Sequence, residues 1–211
     1  MSVRPKKPLL LVLFFIAALS ACACTALSIG VVQPEPQVTN LMFVAPDQAI
    51  IVGRIELHPP LQEGEQTIKS SSGEEFRNAF ILYGGDRLRD FTKNKPATFE
   101  GSFLTSLEKE FFIKSEKGST FFISGGTFYT EYNPPYHITY HTLISPLQIE
   151  IMPDDEAVYV GTIQYYRDEN NNIKTVMIRD DYQWADSQFK ERFGTAKTLR
   201  KALATPVFLV K

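Results

Sequence analysis

Ala49-Ile50-Ile51-Val52-Gly53-Arg54-Ile55-Glu56-Leu57-His58 is the stretch whose reading decides the fold. Ile51, Gly53, Ile55 and Leu57 fall on one side of a period-two repeat, and Arg54, Glu56 and His58 fall on the other. That alternation belongs to a half-buried strand. Pro59-Pro60 ends it, because proline has no N–H to give to a ladder. The same vocabulary recurs along the chain: short runs rich in Phe, Tyr, Val, Ile and Thr, separated by Gly, Pro, Asn and Asp. Strands are expected at 76–83, 98–103, 110–114, 120–124, 127–132, 136–143, 147–152, 157–166 and 173–179. Between the last two, Arg167-Asp168-Glu169-Asn170-Asn171-Asn172 reads as a hairpin loop, since Asn and Asp tolerate positive φ.

Many short strands at this spacing predict a mainly β protein: a single antiparallel β-sandwich-like domain over 41–211, closed by a C-terminal helix. About 170 residues bury a core without cross-links. Ala49-Ile-Ile-Val-Gly53-Arg-Ile55 matches Ala157-Val-Tyr-Val-Gly161-Thr-Ile163, and each follows a Pro-Asp turn. Two readings stay open: common β vocabulary, or strands in equivalent places of opposite sheets.

Near the C-terminus the period changes. Asp180 or Asp181 can cap a helix, and Asp180 with Gln183 makes a pair of capping-box type. Tyr182, Ala185, Phe189 and Phe193 then share one face, and Gly194 is a stop. The helix is expected over 181–193, with a further turn or two within 195–203 before Pro206.

The other end of the chain is not a fold element. Arg4, Lys6 and Lys7 precede an apolar run over 9–19, the layout of a secretory signal and too short to span a bilayer comfortably. Leu19-Ser20-Ala21-Cys22 resembles the lipobox of bacterial lipoproteins. The resemblance implies cleavage before Cys22, lipidation of Cys22, and stable attachment to a membrane by several acyl chains. Ala23 in the next position implies sorting to the outer membrane in a Gram-negative host. Residues 1–21 are thus read as a signal peptide and 22–40, with Pro34 and Pro36, as the lipidated N-terminus and flexible tether. Val52-Gly53-Arg54-Ile55, Gly126-Thr-Phe-Tyr129, Pro134-Pro135-Tyr136 and Asp180-Asp181 resemble a group of uncharacterised β-rich envelope lipoproteins. The Pro-x-Tyr hairpin is also similar to transthyretin-like sandwiches, with Pro135 where that family has glycine.

Loss of 1–21 removes three basic and no acidic residues from 22 and 24, so the mature chain carries about −5. Nucleic acid is not an expected partner, since it needs a concentrated basic footprint. The partners expected are the membrane, through the lipid on Cys22, and an envelope protein. Cys22 and Cys24 are the only cysteines, both in the processing region, so the folded body has no disulfide or thiolate chemistry.

Catalytic and metal motifs do not assemble. His137 and His141 lie four apart; on a strand that is roughly 13 Å, too far for one zinc or copper. On that strand Tyr136, Ile138 and Tyr140 are read as inward, and His137, Thr139 and His141 as outward. Asp168-x-Asn170-x-Asn172 starts like a calcium loop, but Ile173 and Arg179 stand where the pattern needs Gly and Glu. Glu74-Glu75, Asp154-Asp155-Glu156 and Asp180-Asp181 sit at turns, where solvated charge is the ordinary role. No nucleophile elbow, His-Glu-x-x-His or phosphate loop is present. No enzyme activity, metal or cofactor is expected.

The aromatic concentration between Phe121 and Tyr140 is the remaining signal. Its ordinary role is to fill the sandwich; its functional one is a surface for a ligand or partner centred on Tyr129 and Tyr132. The expected function is therefore a non-catalytic binding or structural role at the bacterial envelope. Glycan or small-ligand binding through exposed aromatics is the alternative, and a hydrolase the third.

Overall fold

The computed structural model describes residues 35–62, 65, 78–89, 101–131 and 138–207, with the side chains of 129–131 and 138–140 left aside. The first of two packed sheets has the order β4 (Glu110–Glu116), β1 (Gln48–His58), β7 (Ala157–Arg167), β8 (Ile173–Arg179), and β9 (Leu199–Lys201) also pairs with β7. The second has the order β10 (Thr205–Pro206), β6 (Ile138–Ile151), β5 (Ser119–Glu131), β2 (Ala79–Gly85), β3 (Ser102–Ser106). Helix α1 (Tyr182–Phe193) lies on the outer side of the first sheet.

The β-sandwich-like domain with a C-terminal helix is the architecture expected. The wholly antiparallel pairing holds only in the second sheet. In the first, β1 runs parallel to β7 and so does β9. The physical reason is the connection: parallel neighbours need a long crossover. Here the chain between β1 and β7 adds β4 to the first sheet and lays down β2, β3, β5 and β6 of the second.

β1 explains the layering. Ala49, Ile51, Ile55 and Leu57 point into the sandwich beside Phe80, Phe111, Phe128 and Tyr165. Ile50 and Val52 point outward, yet they too are buried, under Ala185 and Phe189 of α1. The first half of β1 is thus apolar on both faces, and only beyond Gly53 does the outer face turn polar. Burial of Phe189 alone is worth about 2–3 kcal/mol.

Several expected elements merge or change. The stretches read as 120–124 and 127–132 form the single strand β5, bent at Gly125, where a Cβ would sit 1.9 Å from the Leu143 carbonyl oxygen. Those read as 136–143 and 147–152 likewise form β6. No helical turn forms within 195–203. Instead β9 forms there, since Ala202 N–H and Ala204 N–H find the Tyr159 and Val160 carbonyls at 2.9 and 2.8 Å. Helix α1 starts and stops as expected, with Gly194 at φ 78° and its N–H on the Lys190 carbonyl. The capping box is absent: Asp180 accepts from the Tyr182 N–H at 3.1 Å, and the Asp181 side chain is engaged elsewhere. The β7–β8 turn matches its reading, with Asn171 at φ 63° and the Asp168 carboxylate accepting from two backbone N–H groups.

Part of the segment read as tether is docked. Glu35 makes a parallel bridge to Phe103, and Val38 is buried with its N–H on the Phe112 carbonyl at 2.8 Å.

Candidate binding face on the open half of the first sheet

The repeated Ala-x-x-Val-Gly phrase marks two strands of one sheet, side by side, and not strands of opposite sheets. A bulge lies between Val52 and Arg54, opposite Gly161, whose φ of +100° suits glycine. Beyond it the pairs are Arg54 with Thr162, Glu56 with Gln164, and His58 with Tyr166. β8 adds Arg179 beside Thr162 and Met177 beside Gln164. The apolar face of the helix packs on the sheet before the bulge; beyond it the face is polar, with Thr162, Glu56 and Gln164 buried and His58, Met177 and Arg179 reaching solvent.

Glu56 organises it. The residue is 4% exposed. Its carboxylate accepts from Gln164 Nε2 at 2.8 Å and from Arg179 at 2.9 Å, with Arg54 Nε and His58 Nε2 both at 3.3 Å. Burial alone would push the Glu56 carboxyl up. The Gln164 hydrogen bond and the Arg179 and Arg54 charges outweigh it, and the group is held below its ordinary value. Arg179 also reaches Asp181 at 2.8 Å, and Asp181 accepts from the Thr162 hydroxyl at 2.9 Å. This explains the missing cap: the Asp181 carboxylate faces the sheet and not the helix start. Arg54 lies over the Trp184 ring, 5.1 Å from its centre, and His58 stacks on Tyr166 at 4.9 Å. Met177 is 52% exposed on β8, the edge strand of the face.

One end of the face is tied down by Arg167. Its Nε donates to the Pro59 carbonyl, its Nη2 to the Pro60 carbonyl and Glu65, and its Nη1 to Glu65 and Asn171. All five donors are satisfied, which fixes the chain after β1 against the β7–β8 turn.

Chemically this face suits recognition. A carboxylate held ionised between guanidinium groups is a poor proton donor and a weak base. Among the described residues no three His, Cys, Asp or Glu side chains converge as metal ligands.

The residues singled out from sequence fall elsewhere. Cys22, Tyr132, His137 and Glu74-Glu75 lie outside the described residues. Tyr129 lies in β5, its backbone opposite Tyr140. Phe121 and Phe128 are buried in the sandwich, the ordinary role weighed for them. His141 corrects the outward reading. Leu143, Ser145 and Leu147 are the inward positions of β6, and His141 shares their parity, stacked on Phe128 at 4.8 Å. Burial and, next, the Arg167 charge hold its imidazole below the ordinary value. Asp155 and Glu156 are structural: Arg200 grips Asp155 with two bonds of 2.6 Å, and Glu156 accepts from the Thr198 N–H. Asp180 pairs with Lys201.

Gln164, Met177, Arg179 and Trp184 were not singled out. The signal that could have found the first was the repeat, since aligning its two copies sets Glu56 against Gln164 and His58 against Tyr166.

A second surface is an apolar groove of about 540 Å³ between β6 and β8, lined by Ile144, Val176, Ile178, Leu203 and Pro206 among others. No protein-family model, no curated protein and no solved structure matches the chain.

Proposed function

We propose that this is a lipid-anchored protein of the bacterial envelope, sorted to the outer membrane of a Gram-negative host by its Ala23, that acts as a non-catalytic binding module. Its binding surface is the open outer half of β1, β7 and β8. The observation that carries the reading is that one sheet face is apolar beneath α1 and, beyond the bulge, polar with an exposed rim of His58, Met177 and Arg179. There the buried Glu56 carboxylate holds Gln164, Arg179 and Arg54 in place, and Met177 stands exposed on the edge strand β8. A polar network this ordered beneath an exposed rim suits a partner better than it suits stability alone. The anchor rests on Leu19-Ser20-Ala21-Cys22.

Two measurements test it. Cys22→Ser protein should lose acyl-chain labelling and leave the membrane fraction; full retention there overturns the anchor. A photo-reactive side chain at Met177, in cells, should cross-link to a discrete component that the same probe at exposed Met152, beyond the face, does not capture. Identical products from the two sites overturn the face.

A further inference from the structure

We infer that the ligand of this face is a neutral, polyhydroxylated chain, a glycan, lying across β1, β7 and β8; this rests on the face being the binding surface proposed above. The charge balance is the first argument. Glu56 is compensated by Arg54 and Arg179, Asp181 by Arg179, and Glu108 faces Arg54 at 3.6 Å. An ionic ligand would have to take one partner from the buried Glu56, and stripping a partner from a buried charge is costly. A neutral ligand leaves the network intact.

Hydrogen-bonding capacity is the second. Gln164 is 5% exposed and spends its amide N–H on Glu56, so it positions the carboxylate and leaves the ligand to the exposed groups around it. Arg179 engages its neighbours through Nε and one Nη, with its side chain 45% exposed. A planar donor held in a fixed position matches the oxygens of hydroxyl groups. The aromatic rims of Tyr166 and Trp184 and the apolar Met177 suit the C–H faces of sugar rings.

Size is the third. Three strands by three outward positions make a patch of about 10 by 13 Å, room for a disaccharide. A stable protein interface needs about 800 Å² on each side, several times that area.

Trp184 is the only tryptophan, so its fluorescence reports on this site alone. The full-length chain, in a detergent without a sugar head group, is titrated with fully N-acetylated chitotetraose, cellotetraose and maltotetraose. At least one should change the emission saturably at micromolar to millimolar concentration. Arg179→Gln, at a side chain 45% exposed, should weaken that binding by about tenfold or more. Met177→Arg, at an exposed position that leaves the fold intact by circular dichroism, should do the same. No response to any of the three, or equal affinity in Met177→Arg, overturns the inference. A defined protein captured from Met177 without any saccharide response removes the glycan and keeps the face. Neither response nor face-specific cross-link removes both.

Discussion

The outer face of the first sheet is two surfaces on the same strands. Before the bulge Ile50, Val52, Phe112 and Tyr159 meet Ala185 and Phe189; after it Arg54, Glu56, Thr162 and Gln164 form a polar layer, with Arg179 and Met177 reaching solvent. The first half gains from excluding water, so its contribution scales with apolar area and tolerates no void. The second gains from hydrogen bonds and ion pairs converging on one buried charge, so its contribution depends on the partners present. A helix can therefore end at the boundary without exposing apolar surface.

If the halves differ in this way, the largest loss comes from the covered one. Phe189→Ala should destabilise by about 3–5 kcal/mol in urea unfolding, since it leaves a cavity beneath α1. The boundary itself comes next. Gly161→Ala places a Cβ 2.5 Å from Ile178 Cγ2 at φ +100° and should cost about 2–4 kcal/mol by the same measurement.

The open half should lose less. Glu56→Ala strands Gln164, Arg54 and Arg179, but the arginines reach solvent, and a cost of about 2–3 kcal/mol is expected. The smallest effect is acid dependence. Because Glu56 is held below its ordinary value of 4.5 in the fold, its contribution is complete above that pH and is lost as pH falls through the folded value. Glu56→Gln should flatten the loss of stability below about pH 4.5, whereas Phe189→Ala should leave that slope unchanged. An unchanged slope in Glu56→Gln would show that the two halves do not differ in kind.

Much of this fold could be read from local pattern. The alternation in 49–58 assigned Ile51, Ile55 and Leu57 to the sandwich correctly, and Tyr182, Ala185, Phe189 and Phe193 do line the inner face of α1. His141 was misplaced because Tyr and His fit either side of a strand, and the true parity is set by the core that β6 meets. Asp181 was read as a cap because it precedes the helix. Thr162 and Arg179, brought beside it by pairing of β7 and β8, compete for the same oxygens.

Local pattern is enough for the β class, the C-terminal helix and the inward side of β1 at Ile51, Ile55 and Leu57, since all three follow from side-chain period and turn chemistry within a few residues. Only the tertiary structure decided that β1 and β7 lie side by side and parallel, and so that Glu56 meets Gln164 and Arg179. Those partners stand 108 and 123 residues away. No local rule carries information over that span: strand pairing is settled by the packing of whole sheets, and the candidate binding face exists only as its product.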